Sequence, residues 1–396
     1  MLDLKGFVQH YDWGGKNFIP DLIGVENPAN LPFAELWLGT HPKGPSLVTD
    51  GTTTMNLATL LDANPALLGS GIRERFDSTL PFLLKVLDVR DMLSIQAHPD
   101  KTAAQAGFAA EEAAGIPLEA RERVFKDPND KPEMMLALTD FWLLHGFKSV
   151  PEITQSLSAT PELSPLLEDF ADIKTLYTHI MTLPQDAVNN LLFPLKQRLL
   201  DSNLTDKSSP EFWAKRALQT FHNDNGDIDR GICSIFLMNI VYLQPGEAIF
   251  QDAGILHAYL EGVNVELMGN SDNVFRGGLT NKHIDVPALL THISYEHVEP
   301  NIHKGWKKDQ VETAFPSPFP AFALSVLQPD PDTPWNHHNP DSLEIYLVLK
   351  GSVTANGKNK QKGAAFALEA NQPLTLKASA NAPKAFLVRA SVGNNI

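Results

Sequence analysis

Short apolar segments bounded by turn residues dominate both ends of the chain, whereas its middle follows a helical pattern. Residues 80–88 (LPFLLKVLD) and 341–351 (DSLEIYLVLKG) are typical of strands. Between residues 149 and 230, prolines separate segments with apolar residues at helical spacing, for example 187–200. Because strands and helices do not alternate regularly, the pattern predicts a mainly β protein of the sandwich or jelly-roll type with a helical insertion.

Local signals predict several shorter elements. The strand over 80–88 is expected to form a hairpin with a strand over 92–98, after a turn at 89–91. Asp100 is a suitable N-cap for an alanine-rich helix over 101–114. The remaining predictions are short helices over 57–76 and strands over 34–39, 131–138, 234–242 and 248–250.

Composition limits the class of protein. The 396 residues are 43% hydrophobic and carry a formal net charge of -15. Two or three globular domains are therefore expected, and nucleic acid is excluded as a partner because phosphate binding needs concentrated Lys and Arg. No apolar run approaches the roughly twenty residues that cross a bilayer, the N-terminus does not resemble a signal peptide, and Cys233 is alone. We expect a cytoplasmic monomer that does not bind membranes.

Polar residues on separate predicted strands suggest a metal centre. Gln96 and His98 alternate along one strand, so their side chains share a face. Glu133 and His257 lie on later strands. Taken singly, each histidine is more often a structural residue than a ligand. Together, two imidazoles, one carboxylate and one amide suit zinc or another first-row divalent ion with an open, catalytic position.

Charged residues near these ligands allow two interpretations. Lys85 interrupts an apolar strand, either as a charge that protects a sheet edge or as a group facing the cavity, and the second interpretation is favoured. Lys131 shares a strand face with Glu133. The pair His337 and His338 is expected in a surface loop because prolines and asparagines surround it.

Five sequence segments resemble motifs of known proteins. Residues 244–257 (QPGEAIFQDAGILH) are similar to the second motif of cupin barrels. Residues 257–282 closely resemble a signature of the type I mannose-6-phosphate isomerases. Residues 125–133 (FKDPNDKPE), 96–100 (QAHPD) and 10–15 (HYDWGG) resemble other segments of that family, in the same order along the chain.

The resemblance implies a fold, a reaction and a set of site residues. It implies one zinc ion per chain and the interconversion of mannose 6-phosphate and fructose 6-phosphate through a cis-enediol, which supplies mannose 6-phosphate for GDP-mannose. By the resemblance, the zinc ligands are Gln96, His98, Glu133 and His257. Arg276 falls on the family's active-site arginine, and the two glycines after it permit close approach of a ligand. The other residues expected to line the cavity are Lys85, Lys131 and Asp272, with Lys282 and Trp13 as weaker candidates.

The expected organisation has four segments. Residues 1–148 and 232–292 would form a catalytic cupin barrel, residues 149–231 the helical insertion, and residues 293–396 a smaller cupin-like β domain. Departures from the family pattern, such as Asp130 where histidine is usual, leave sugar preference open. A zinc cupin isomerase for a related sugar and a non-catalytic cupin that binds sugar phosphates are the alternatives. The proton-transfer base is not chosen among Lys85, Lys131 and Asp272.

Overall fold

The computed structural model describes residues 1–50, 53–168, 170–221, 225–338, 341–380 and 383–393. It confirms a mainly β protein with a helical insertion. The helices are α1 Phe18–Ile23, α2 Leu57–Ala63, α3 Ser70–Arg75, α4 Lys101–Ala113, α5 Val150–Ser158, α6 Ile173–Thr182, α7 Gln185–Leu200, α8 Pro210–Thr220, α9 Gly231–Leu237 and α10 Val286–His292. Short 3-10 helices span Pro65–Leu68 and Ser164–Leu167. Among the described residues, no helix combines the length and the apolar character needed to span a membrane.

Strands make up most of the remaining ordered structure. They are β1 Leu2–Lys5, β2 Phe7–Gln9, β3 Glu35–Leu38, β4 Leu47–Asp50, β5 Thr53–Asn56, β6 Phe82–Val89, β7 Ile95–Ala97, β8 Glu133–Ala137, β9 Phe141–Phe147, β10 Met238–Leu243, β11 Ala248–Gln251, β12 His257–Gly269, β13 Phe275–Gly278, β14 Trp306–Lys307, β15 Glu312–Phe315, β16 Ala323–Leu327, β17 Trp335–His338, β18 Glu344–Lys350, β19 Ser352–Ala355, β20 Lys358–Gln361, β21 Ala365–Leu368, β22 Pro373–Ala378 and β23 Phe386–Ser391.

Within the described ranges, the strands form three sheets. A ten-stranded sheet contains β2, β3 and β6 to β13, and the long strand β12 lies at its centre. A nine-stranded sheet has the order β14-β15-β16-β23-β18-β21-β1-β4-β5. A four-stranded sheet, β17-β22-β19-β20, encloses a small apolar core with the nine-stranded sheet.

The outer face of the ten-stranded sheet is covered by two different apolar layers. The helical insertion packs on Ile95, Leu144 and Ala258, and the nine-stranded sheet packs on residues such as Leu84 and Met134. Because successive strand residues point to opposite faces, the residues between these apolar positions point to the inner face. The polar residues predicted for the site therefore share that inner face.

Local signals predicted several elements correctly. The short helices predicted over 57–76 and the helix predicted over 187–200 are present. Helix α4 begins where predicted, because Asp100 Oδ1 accepts a hydrogen bond from Ala103 N at 2.7 Å. These elements depend on neighbours in the sequence, which explains why the sequence alone identifies them.

The predicted hairpin of strands 80–88 and 92–98 is wrong. Strand β6 pairs with β3 and β12, whereas β7 pairs with β12 and β13. Strand β12 is long enough to pair with β6 over 262–269 and with β7 at His257. Strands β6 and β7 therefore both pair with β12 and do not pair with each other.

The prediction of a strand over 234–242 is partly wrong. Helix α9 occupies Gly231–Leu237, and strand β10 begins at Met238. All seven residues of α9 are buried. A helix that is buried on every side shows no amphipathic period, so its sequence cannot be distinguished from that of a buried strand.

The loop predicted around His337 and His338 is also wrong. These residues lie in β17, which pairs with β22. The His337 ring stacks on Trp335 with 5.2 Å between ring centroids, and its Nε2 lies 3.0 Å from Glu344 Oε2. Pro334 directly precedes this strand and Asn336 lies within it, so turn-forming residue types did not indicate a loop at this pair.

The first strand of the chain joins the last segment. Leu2 in β1 lies opposite Ala367 in β21, and Leu4 lies opposite Val48 in β4. The nine-stranded sheet thus combines the early strands β1, β4 and β5 with strands beyond residue 305. The division into four segments stays a prediction. The nine-stranded sheet contains strands of the first segment, 1–148, and of the last, 293–396.

Candidate active site

Three buried side chains meet on the inner face of the ten-stranded sheet. Glu133 Oε1 lies 3.2 Å from His98 Nε2, and Glu133 Oε2 lies 3.3 Å from His257 Nε2. All three residues are at most 1% exposed. One candidate ligand atom from each residue lies within 4.8 Å of the others. Residues that are far apart in the sequence therefore form the triad His98, Glu133 and His257.

Backbone carbonyls orient both imidazoles of the triad. His98 Nδ1 lies 2.7 Å from Asn273 O, and His257 Nδ1 lies 3.0 Å from Ile255 O. A carbonyl oxygen only accepts hydrogen bonds, so each Nδ1 carries a proton, and each Nε2 faces Glu133. This outer support is the arrangement usual for metal-binding histidines.

The free ligand atoms of the triad suit a metal ion. Within the described part of the chain, His98 Nε2, His257 Nε2 and Glu133 Oε2 are buried without a hydrogen-bond partner. Buried polar atoms in native proteins are almost always satisfied. Two imidazole nitrogens and a carboxylate oxygen are suitable ligands for zinc and for other first-row divalent ions.

Charge in this region keeps the ligands in their metal-binding forms. Burial and the positive charge of Lys131 lower the pKa of His98 to about 4. Burial opposes ionisation of Glu133, but the positive charge of Lys131 favours it, and the pKa of that carboxyl lies well below its usual range. A neutral His98 imidazole and an ionised Glu133 carboxylate are therefore present at neutral pH.

Strand register brings Gln96 and Arg276 next to the triad. Gln96 in β7 lies opposite His257 in β12, and Arg276 in β13 lies opposite Gln96. Residues directly opposite on paired strands carry side chains on the same face. Gln96 therefore lies on the triad's face, one strand away, and Arg276 is its next neighbour across the sheet.

The two predicted lysines both lie in the site and are ion-paired. Lys131 Nζ is 2.9 Å from Glu133 Oε1. Lys85 Nζ lies 2.9 Å from Glu266 Oε2 and 3.5 Å from Glu35 Oε2. Burial alone would lower the pKa of Lys85, but the two carboxylates raise it well above its usual value. Of the two interpretations of Lys85, the cavity-facing one is correct.

Asp272 and Lys282 lie at the rim of the site. Asp272 is 2.9 Å from Lys43 Nζ and 3.4 Å from His41 Nε2. Burial would raise the pKa of Asp272, but these two partners lower it well below the usual range. Burial lowers the pKa of Lys282, helped by the nearby charge of Arg276. Asp272 therefore acts as a permanent anion that anchors cations.

A cavity of about 220 Å³ opens next to these residues. Its basic lining residues are Lys43, Lys85, Arg121, Arg123, Lys126, Arg276 and Lys282, and its acidic ones are Glu35, Asp272 and Asp285. In a chain with a net charge of -15, such a concentration of cations marks a site for an anionic ligand.

Arg276 is a partly buried cation that lines the cavity. Burial lowers its pKa, although a guanidinium stays charged at neutral pH. In the residues that the structure describes, no carboxylate forms an ion pair with it. Its charge is therefore available to a ligand in the cavity. Trp13, one of the two weaker candidates, stacks on Tyr11 and does not line the cavity.

Several residues of the site were not predicted from the sequence. Glu266 and Glu35 bind Lys85, and Trp37 donates from Nε1 to Glu35 Oε2 at 2.5 Å. Asn273 connects His98 with the loop at 126–129 through its backbone and side chain. Glu35 and Glu266 alternate with apolar residues on strands, as Gln96 does, and that pattern is the signal that could have identified them.

Comparison with known proteins agrees with this geometry. The family model described as phosphomannose isomerase type I, catalytic domain, matches residues 1–150. Mannose-6-phosphate isomerase from Escherichia coli (strain K12) is 38% identical over 336 residues, which cover 82% of this chain and 83% of that protein. The Homo sapiens enzyme is 32% identical over 410 residues, with 93% of each chain covered.

Solved structures agree over the whole chain. The mannose 6-phosphate isomerase from Salmonella typhimurium, solved with its substrate fructose 6-phosphate and zinc, superposes with a TM-score of 0.87. The two sequences are 32% identical, and the match covers 100% of each chain. A mannose 6-phosphate isomerase with zinc and yttrium gives a TM-score of 0.86 at the same identity and coverage. This chain belongs to the type I mannose-6-phosphate isomerase family.

Proposed function

We propose that this chain interconverts D-mannose 6-phosphate and D-fructose 6-phosphate, with one zinc ion held by Gln96, His98, Glu133 and His257. The observation that carries the proposal is the triad, whose inward ligand atoms are buried and unpartnered within the described residues. A relative that shares the fold binds zinc and this substrate. The position of Gln96 opposite His257, on the same face of the sheet, supports it as the fourth ligand.

The basic cavity is the proposed binding site for the sugar phosphate. A phosphate dianion needs several cationic or N–H donors, and guanidinium groups bind it with the best geometry. Seven cations surround about 220 Å³ of space beside the triad. A substrate bound there would present its carbonyl end towards the inner face, where Lys85 and Glu133 lie. The cations Lys126 and Lys282 lie on the rim side, where the phosphate would be held.

The reaction moves a proton between C2 and C1 of the open-chain sugar, and negative charge develops on O1 and O2. Zinc bound by the triad and Gln96 would supply Lewis acidity for that charge. Arg276 stabilises the same charge through its N–H groups, since no carboxylate among the described residues neutralises it. Lys85, ion-paired with Glu35 and Glu266, donates a hydrogen bond to a substrate oxygen.

The geometry narrows the choice of proton-transfer base. Lys85 and Lys131 are ion-paired ammonium groups, and Asp272 is committed to Lys43 and His41. All three are therefore weak bases in this setting. The carboxylates that share Lys85 are better candidates, because a carboxylate on the inner face can accept the proton from one carbon and return it to the other.

A coupled assay tests the function directly. Purified protein loaded with zinc is incubated with mannose 6-phosphate, glucose 6-phosphate or free mannose, and ketose formation is followed. Efficient conversion of mannose 6-phosphate supports the proposal. Faster conversion of another aldose would support the alternative isomerase, and binding of mannose 6-phosphate without turnover would support a non-catalytic cupin.

We also propose a cellular location and an oligomeric state for this enzyme. Sugar phosphates are produced by intracellular kinases, which is consistent with a cytoplasmic enzyme that supplies mannose 6-phosphate for GDP-mannose. The triad and the cavity lie within one chain, which supports a monomer as the active form. Light scattering at the concentration used in the assay measures that state.

A further inference from the structure

Two buried polar side chains beside the triad take no part in the proposed mechanism. Gln251 is 0% exposed, and neither its Nε2 nor its Oε1 has a hydrogen-bond partner among the described residues. His145 Nε2 lies 3.2 Å from Phe250 O, which leaves the buried Nδ1 without a partner in the same residues. Native proteins satisfy such groups with protein atoms or with ordered water.

Strand register places both side chains next to the proposed ligands. Gln251 in β11 lies opposite Glu133 in β8, and His145 in β9 lies opposite His257 in β12. The Cβ atoms of directly opposed residues are about 5 Å apart on the same face. The preceding residue, Phe250, packs on aromatic rings of the outer face. The Gln251 amide therefore points inward, towards the triad.

The hydrogen-bonding capacities of these groups are complementary. His145 donates from Nε2 to a carbonyl, so its Nδ1 is an acceptor. The Gln251 amide offers two N–H donors and an acceptor oxygen. Glu133 Oε2 is a third buried acceptor without a hydrogen-bond partner in the described chain. Two acceptors and an amide around one polar space fit water, which makes about three hydrogen bonds in such sites.

We propose that Gln251 and His145 bind ordered water beside the triad, and that this hydrated pocket orients Glu133 and His257 for metal binding. The inference rests on the zinc centre proposed above. Gln251 and His145 are positioning residues, since they act on the metal through its ligands. Partners of this kind change metal affinity by about 10- to 100-fold when they are removed.

The test is zinc affinity of the full-length protein, measured by competition with a fluorescent chelator. Gln251→Met, which keeps the side-chain length, and His145→Leu should each raise the Kd for zinc about tenfold or more. The double variant should add at most about twofold, because both residues hold the same water. The matched control is Asn264→Leu, which removes another fully buried amide without a described partner, opposite Leu87 and Ala137.

Stability distinguishes positioning from a structural role. An apolar side chain in place of an amide buried for function leaves the metal-free protein as stable or makes it more stable. Gln251→Met should therefore keep or raise the Tm without metal while it weakens zinc binding, and the Asn264→Leu control should bind zinc within about twofold of wild type. If the Gln251 amide had only a structural role, Gln251→Met would lower both the Tm of the metal-free protein and the affinity for zinc.

Each failure has a distinct meaning. Zinc affinity of Gln251→Met equal to that of wild type overturns the inference, as does an equal loss in Asn264→Leu. A crystal structure of the zinc-loaded protein in which the Gln251 amide bonds only to protein atoms also overturns it. Wild-type protein that binds no zinc would instead refute the proposed metal centre.

Discussion

Individual ligand types were predictable from the sequence, whereas the groups that orient them were not. Histidine and glutamate in alternating strand patterns indicated that His98, Glu133 and His257 meet, and the structure brings them together. The support of His98 comes from Asn273 O, 175 residues away. Gln251 gains its place opposite Glu133 only through strand pairing. Register is a tertiary property that local composition does not encode.

Arg276→Gln is expected to reduce activity without loss of stability. No described carboxylate pairs with this guanidinium, so its removal breaks no ion pair, whereas the charge on the reacting oxygens loses a donor. The value of kcat should fall by about 10² to 10³, with the Tm unchanged within about 2 °C. Steady-state kinetics and thermal denaturation measure the two quantities.

A matched control for Arg276→Gln is Arg198→Gln. Arg198 forms ion pairs with Glu162 and Glu211 in the helical insertion. Its replacement should leave kcat unchanged. Full activity in Arg276→Gln would contradict the role assigned to that residue.

Stability of the metal-free protein should fall as the pH is lowered from about 6.5 to 4. Burial lowers the pKa of His98 and of His145 to about 4 in the folded chain, against about 6.5 when unfolded. In that window the unfolded state binds more protons, so acid favours unfolding. Urea titrations with a chelator at several pH values measure the slope, and His145→Leu should make it shallower. If the pH dependence of stability in His145→Leu equals that of wild type, the lowered pKa of His145 is contradicted.

At the scale of elements, predictions held where the signal is local. The capped helix α4 and the helix α7 depend on neighbouring residues and were correct. The hairpin between β6 and β7 was wrong because β12 pairs with both strands. An apolar strand has several potential partners, and the choice depends on the whole sheet.

The segment between β12 and β13 serves as a connector for the site. The Asn273 side chain accepts a hydrogen bond from Lys126 N at 2.7 Å and donates to Asp127 O at 2.7 Å and Asn129 O at 2.8 Å. Its backbone oxygen binds His98 Nδ1. One residue therefore fixes both an imidazole and the loop that precedes Glu133.

Asn273→Leu should weaken zinc binding as well as stability. The side chain keeps its size but loses its bonds to the loop at 126–129, so the carbonyl that orients His98 shifts. A rise in the Kd for zinc of about tenfold is expected, together with a lower Tm. Chelator competition and thermal denaturation report the two effects.

Asn27→Leu is a suitable control for Asn273→Leu. Asn27 makes a similar set of bonds, to Lys16 O and to the backbone of Leu31, in a loop far from the triad in the sequence. It should lose stability and keep its zinc affinity. Equal zinc affinities of the two variants would show that Asn273 is only structural.

At the scale of the molecule, fold class was predictable and connectivity was not. Composition and pattern gave a mainly β protein with a helical insertion, as observed. The pairing of β1 with β21 joins the two ends of the chain in one sheet. One apolar core contains Leu36 and Val86 from the ten-stranded sheet together with Ile345 and Ala390 from the nine-stranded sheet. The site's supporting layer therefore includes the C-terminal strands.

The shared core predicts that both sheets unfold together. Ile345→Ala removes a fully buried side chain and should cost about 2 to 5 kcal/mol. Calorimetry of the metal-free variant should show the transition that contains the ten-stranded sheet moving to lower temperature. Two separate transitions, of which only the C-terminal one shifts, would contradict a common core.

Side chains from separate strands are expected to hold one zinc ion that the isomerase reaction requires. Metal analysis of the purified protein, combined with the mannose 6-phosphate assay, tests it most directly on wild type, His257→Ala and the exposed control His338→Ala. We expect one zinc per chain and activity in wild type and control, with loss of both in His257→Ala. Full zinc content or full activity in His257→Ala would contradict it.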